Sequence, residues 1–351
     1  MMKTFATAGA ALLMTTAMAT AGGIDRSGQF LGPIFEEGGE SGTYFQFSFG
    51  LVNPEANNPA LTNPLQDYSS LGFAYKRQLT DDLSATLIID EPFGVAVEYV
   101  DPPFGVAPGS LSNGRAYIDS TAITGILRYE LDNGFSVHGG IRAQEIGGVV
   151  VSTPGLLQAN SGYDFGYLVG GAYERPDIAL RVALTYNSSI ENELSGTENF
   201  APIADFIVET PESFNLEFQT GVAADTLVFG SIRYAMWDGF NLTANGNEYV
   251  NLDGDTTTYS VGVGRRLNDS LSVFATIGYE AAGDRPSSTA LAPTTGTRSV
   301  GLGATYTMDN VSLTGGISYV ELGDQGVGPG GVFEFNDNKA IGAGFRIGYD
   351  F

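Results

Sequence analysis

Cysteine is absent from the 351 residues, which excludes a disulfide framework and any thiolate centre, whether catalytic or metal-binding. Histidine occurs once, at His138, too few for the imidazole-based constellations of nucleophilic hydrolases; His138 is read as structural and no catalytic residue is assigned. Positive charge is scarce: 16 Lys and Arg stand against 40 Asp and Glu, a net charge of −24. Phosphates would repel such a chain, so nucleic acid is excluded as a partner. Past the N-terminal stretch, no run approaches the roughly 20 apolar residues of a membrane helix. Asp253-Gly254-Asp255 could touch Ca²⁺ but lacks the full oxygen-ligand loop. Neither a metal site nor a cofactor is assigned.

What is present is equally selective. There are 48 glycines, 22 Phe and 17 Tyr, with only 16% charged residues. Residues 1–21 carry Lys3, an apolar stretch from Ala6 to Ala19, and the small-x-small triplet Ala19-Thr20-Ala21. They read as a secretory signal, so the mature chain is expected to begin near Gly22. Residues 22–42 mix Gly, Pro, charge and a few large apolar groups without alternation. They are either a disordered linker or a small plug.

From Thr43 the chain falls into half-apolar segments that alternate with period 2, as strands with one greasy and one wet face do. The ending is the clearest: Ile341, Ala343, Phe345, Ile347, Tyr349 and Phe351 alternate with Gly342, Gly344, Arg346, Gly348 and Asp350. Soluble strands seldom fill their inward face with glycine; a transmembrane barrel sets such a strand between lipid and lumen. Leu271 to Tyr279, Val300 to Met308 and Val311 to Tyr319 alternate in the same way.

Tight connections fall at residues 80–82, 132–134, 175–177, 223–225, 268–269 and 309–310, all built from turn residues. Long ones fall near 54–66, 101–114, 153–161, 195–207, 244–255, 283–296 and 322–338. Short and long alternate strictly, as periplasmic turns and outer loops do. Between them lie fourteen strands, near 43–53, 67–79, 82–100, 115–131, 134–152, 162–174, 177–194, 208–222, 226–243, 256–267, 271–282, 297–308, 311–321 and 339–351. The expected fold is therefore all-β, a fourteen-stranded antiparallel transmembrane β-barrel over residues 43–351 in the Gram-negative outer membrane. Its partners would be outer-membrane lipid and lipopolysaccharide, and the barrel assembly machinery acting through the C-terminal strand. Such a lumen is too wide for wall side chains to fill, so it is a pore or is occupied.

Pro92 and Gly94 interrupt the apolar third strand. Proline cannot donate to a ladder and glycine often marks a bulge. Either the strand ends near Asp90 or the wall opens beside Pro92 and Gly94. The outer loops carry apolar residues that water disfavours: Leu156, Leu157, Phe200, Ile203 and Phe206, which Phe93 and Phe104 could join. These are candidate ligand contacts, or they simply pack together and cap the barrel. Arg115, Arg142, Arg181, Arg233 and Arg346 are candidate head-group contacts or partners of the many carboxylates.

Four stretches resemble the outer-membrane transporters of long-chain fatty acids and of aromatic hydrocarbons, the FadL/TodX-like family. They are Glu209-Thr210-Pro211-Glu212-Ser213-Phe214 with Tyr234-Ala235-Met236-Trp237; Gly278-Tyr279, Asp284-Arg285-Pro286 and Arg298 to Gly303; the ending Gly348-Tyr349-Asp350-Phe351; and Pro92 to Tyr99. The resemblance implies a fourteen-stranded barrel with an N-terminal luminal hatch, so residues 22–42 are read as a short plug. It implies capture of a hydrophobic ligand such as a long-chain fatty acid by apolar outer loops, an internal pocket, and sideways exit where the third strand is kinked. One departure stands out: Asn58-Pro59-Ala60, a triplet the family usually carries before its first strand, here follows a strand-like stretch. The alternatives are a porin-like channel for small polar solutes, with an open charged constriction and no apolar pocket, and a surface barrel whose loops bind partners.

Overall fold

The computed structural model describes residues 24–100, 114–152, 155–252, 254–283, 289 and 291–351. The expected signal segment, Phe104, Arg285 and Pro286 lie outside the described residues. Fourteen antiparallel strands close into one barrel. They are β1 (Thr43–Glu55), β2 (Tyr68–Gln78), β3 in two pieces (Leu83–Asp90 and Gly94–Glu98), β4 (Arg115–Glu130) and β5 (Phe135–Ser152). Next come β6 (Gly155–Ser161 and Asp164–Arg175), β7 (Leu180–Asn187 and Ile190–Glu198), β8 (Phe206–Thr210 and Ser213–Ala223) and β9 (Thr226–Ala235). The circuit ends with β10 (Thr256–Arg266), β11 (Leu271–Glu280), β12 (Thr297–Met308), β13 (Val311–Leu322) and β14 (Asn338–Asp350). β14 returns to β1, with registers from Tyr44↔Asp350 to Glu55↔Lys339, which closes the circuit.

The alternating residues face as expected. Ile277 is 61% exposed and Ile317 61%, on the outer face, while their neighbours Thr276 and Ser318 are buried. Aromatic pairs mark both rims: Phe45 stands opposite Tyr75 and Tyr349 at one end, and Tyr259 opposite Tyr279 at the other. Turn chemistry fixes the register at the short ends. Asp309 takes the left-handed conformation (φ 49°) in the two-residue link between Met308 and Val311, the geometry a twisted hairpin favours.

The middle of the chain differs from the expected boundaries. β6 begins at Gly155 and β7 runs to Glu198, so Leu156 and Leu157 lie on a strand. They form the upper part of a ladder in which Val150 pairs Leu157 and Glu198 pairs Leu157 from the other side. Strands β4 to β8 are thus the long side of the barrel, and in their upper parts both faces are partly covered and strict alternation gives way. β9 ends at Ala235, and Phe240–Ala244 pairs instead with Asn247–Leu252 as a separate hairpin. Asn58-Pro59-Ala60 lies in the first outer loop, where the Asn58 amide donates to the Glu334 carbonyl at 2.7 Å.

Residues 24–42 touch inward-facing side chains of β2, β5, β7, β8 and β9, which is possible only from within. Asn215 of β8 donates to the Gly28 carbonyl (2.9 Å), Lys76 of β2 to the Glu36 carbonyl, and the Leu31 N–H to Glu217 (3.4 Å). Phe35 lies beneath two guanidinium groups, Arg128 at 4.8 Å and Arg181 at 4.5 Å from its centroid. His138, buried, meets the Phe35 edge at 6.2 Å and Thr185 Oγ1 at 2.9 Å.

Candidate functional site

The luminal segment separates two chambers of different chemistry. The lower, about 1100 Å³ including open solvent, is mixed: Asp90, Glu217, Arg181 and Arg346 border it together with Phe30, Phe73, Ile88 and Phe229. The upper, about 870 Å³ on the same measure, is bordered almost wholly by carbon. Its wall comes from the strand tops: Ile146 and Val150 of β5, Leu157 of β6, Leu194 of β7 and Val208 of β8. Ile24 of the luminal segment and Phe93 close it toward the lumen. Leu242 and Val250 of the separate hairpin cover it. Among the described residues no Lys or Arg lines it.

Trp237 anchors the chamber. Its position follows from a tight turn just beyond β9, in which Trp237 N–H donates to the Ala235 carbonyl (3.2 Å) and Phe240 N–H to the Trp237 carbonyl (2.9 Å). The indole, 1% exposed, meets the rings of Phe93 (5.7 Å, 86°) and Phe240 (5.4 Å, 72°) edge to face, the geometry aromatic quadrupoles prefer.

The covering hairpin is tied down by one carboxylate. Glu198, at the top of β7, accepts from Asn245 (2.7 Å), Asn247 (2.7 Å) and the Tyr249 hydroxyl (2.8 Å). The Asn245 amide first, then Tyr249 and Asn247, hold the Glu198 carboxyl below its usual range. A lowered pKa means the tie is complete above the ordinary carboxylate value and is lost as pH falls through the lowered one. We expect Glu198→Gln to raise hydrogen exchange in residues 240–252 several-fold at neutral pH. The parent's protection should persist at the ordinary carboxylate value and fail only as pH falls through the lowered one; equal exchange in variant and parent would show that the hairpin is held by apolar contacts alone.

The wall is interrupted where Pro92 and Gly94 stand. Asp90 pairs Ala122 and Gly94 pairs Asp119, four steps on β3 against three on β4. The extra residue is a bulge that exchanges the faces: even-numbered residues such as Ser84 and Thr86 point inward before it, and Val95 and Val97 after it. The β2–β3 ladder stops at Phe73↔Ile89, and the upper piece of β3 bonds instead to the first outer loop, Gln66 N–H to Ala96 O at 3.0 Å and Glu98 N–H to Pro64 O at 2.7 Å. No ladder thus joins Tyr68–Gly72 to Gly94–Ala96, and the wall there has a gap in its pairing. The luminal segment closes it: Arg26 N–H donates to the Pro92 carbonyl and Gly94 N–H to the Ile24 carbonyl, both at 2.8 Å. The Arg26 guanidinium lies 4.6 Å from the Tyr68 ring centroid and 3.1 Å from Asp119. A Cβ on Gly94 would stand 2.2 Å from the Arg26 Cζ, so only glycine leaves the guanidinium its place.

Of the residues singled out from sequence, the structure brings Phe93, Leu157 and Phe206 together in the upper chamber, with Ile203 packed against the same cluster. Leu156 is half-buried outside it. Phe200 sits at a hairpin tip, 86% exposed with φ 69°. Pro92 is buried at the gap with Gly94. The arginines are engaged elsewhere: Arg233 with Asp25 (2.6 Å), Arg142 with Thr124 (3.1 Å), Arg115 with Glu98 (3.9 Å), and Arg181 on Phe35. Asp255 accepts from the Tyr234 hydroxyl and the Asp238 N–H. The sequence reading missed Trp237, Ile24 and the covering hairpin; the one tryptophan in a chain this poor in it was the available pointer.

No family model and no curated protein matches the sequence. Solved structures match over nearly all of their length. A FadL homologue of Pseudomonas aeruginosa superposes with TM-score 0.70 at 14% identity, covering 100% of this chain and 99% of that one. The toluene transporter TodX of Pseudomonas putida gives 0.62 at 14%, covering 99% and 98%. The toluene transporter TbuX of Ralstonia pickettii gives 0.64 at 11%, also covering 99% and 98%. The shared property is the fold: the chain forms a closed fourteen-stranded barrel of the same architecture as these three.

Proposed function

We propose that the protein is an outer-membrane passive transporter of hydrophobic compounds. The observation that carries this is the carbon-lined upper chamber, set above a luminal segment and beside an interrupted wall strand. Burial of apolar ligand surface at roughly 25 cal/mol per Å² supplies affinity there, whereas a polar solute would find no partners. The likeness to barrels named as toluene transporters supports the same class. Within it, the residues that resemble the fatty acid transporters favour long-chain fatty acids. Ligand is captured among the outer strand tops and loops around Phe93, Leu157, Ile203 and Phe206. It waits in the chamber and leaves sideways past Pro92 and Gly94, which spares a hydrophobic molecule the charges of the lower chamber, Asp90, Glu217, Arg181 and Arg346. Residues 22–42 act as the hatch, and no catalysis is involved.

The test is uptake of a radiolabelled long-chain fatty acid and, separately, of toluene by cells lacking their own transporter, with and without this protein, a small sugar being the control. Entry of either apolar compound is expected to rise while sugar entry does not. Sugar entry alone rising would establish the porin-like reading instead.

A further inference from the structure

Trp237 carries an unspent hydrogen bond. It forms part of the upper chamber wall, and its indole Nε1, buried, has no acceptor among the described residues. Indole N–H is a donor only and cannot be satisfied by rotating into another role. An orphaned buried donor costs about 1–3 kcal/mol and calls for an explanation. The other polar side chains of the chamber are occupied: Thr210 Oγ1 with Gln144 (3.5 Å) and the Ile190 carbonyl (3.4 Å), and Thr289 Oγ1 with the Leu291 N–H (3.2 Å).

We infer that the indole N–H of Trp237 is the specificity element of the chamber, and that the ligand it selects is an apolar molecule bearing an uncharged hydrogen-bond-acceptor oxygen. This rests on the chamber being the ligand site. The geometry favours such a molecule over a bare hydrocarbon, because the hydrocarbon fills the space and leaves the donor orphaned. It disfavours an ionised carboxylate, whose charge would enter a wall without a cation among the described residues. A protonated fatty acid, an ester and an aryl ketone all qualify. The rings of Phe93 and Phe240 clamp the indole edge to face, so the donor is held in place before ligand arrives and little ordering is lost on binding.

The test uses two probes that differ by one group, butylbenzene and butyrophenone, whose CH₂ becomes C=O. Affinities are measured by displacement of an apolar fluorescent dye from the protein in lipid nanodiscs. Trp237→Phe is expected to weaken butyrophenone about fivefold, the loss of one neutral hydrogen bond, and butylbenzene less than twofold. Equal weakening of both would make Trp237 a wall residue only and overturn the inference. Failure of both probes to bind the parent would instead overturn the chamber as the ligand site. Should Trp237→Phe not fold, the parent answers alone, because it has a single tryptophan. The hydrogen-bond-sensitive indole band in the ultraviolet resonance Raman spectrum should shift on saturation with butyrophenone and stay put with butylbenzene, and the absence of a shift with the ketone overturns the assignment.

Discussion

An Asp25→Ala variant is expected to conduct small ions in a planar bilayer where the parent stays closed. Asp25 and Arg233 meet at 2.6 Å with side chains 2% and 4% exposed. Arg233 also donates to Ser213 (2.9 Å) and Asn215 (3.0 Å), so the guanidinium is fixed by the wall, and the luminal segment comes to it. Removing the carboxylate strands a positive charge away from water, a loss of about 3–5 kcal/mol. The barrel ladders do not depend on that pair, so the loss falls on the docking of the segment. The remaining polar ties of residues 28–31 to β8, from Asn215 and Ser213 and to Glu217, are neutral or single bonds of about 1 kcal/mol each. Release of the segment then opens the lower chamber to the upper. Asp25→Leu combined with Arg233→Met should restore closure, since deleting both members of a buried pair removes the stranded charge. A silent Asp25→Ala channel with unchanged heat resistance would show that Leu31, Ile34 and Phe35 hold the segment without the ion pair.

The barrel was legible because its information is local. From β10 onward each strand alternates cleanly and each short turn carries Asp or Asn, so period and punctuation agree. The reading failed where those signals conflict with distant contacts. Gly155 and Asn160 resemble loop residues, yet the segment between them completes a ladder with Gly147–Ser152. Asp238 and Gly239 end β9 early, and nothing nearby records that Leu242 and Val250 fold back over a chamber. The luminal segment has no period at all, because its partners lie some two hundred residues away, Asp25 with Arg233 and Leu31 with Glu217. For the chamber, Phe93, Leu157 and Phe206 were legible as apolar residues near loops. Phe200 lies apart from the chamber because hydrophobicity says nothing of a left-handed turn that aims the ring outward. The interruption at Pro92 and Gly94 was visible, but the exchange of faces it causes requires the register with β4.

Gly94→Leu is expected to cut uptake of hydrophobic ligand about tenfold, equivalent to ~1.4 kcal/mol at the barrier, while Arg26→Ser leaves it at or above the parent rate. The two residues meet at the same point of the wall but belong to different bodies. Arg26 sits on the luminal segment, and its charge partner Asp119 is 84% exposed against 5% for Arg26. A pair with one member in such contact with its surroundings is worth little, in contrast to the neighbouring Asp25–Arg233 pair. Residue 25 therefore anchors the segment and residue 26 holds the gap lightly, which suits a closure that ligand can displace. A leucine at position 94 has no such freedom. Its side chain would be fixed to the wall strand in the space the guanidinium now fills, and would stay there when the segment moves. Because that Cβ meets the tip of a flexible side chain rather than backbone, the variant should keep the parent's heat resistance on gels. Uptake in Gly94→Leu equal to the parent's, in barrels of parent-like stability, would mean that ligand leaves along the lumen axis and not through the wall.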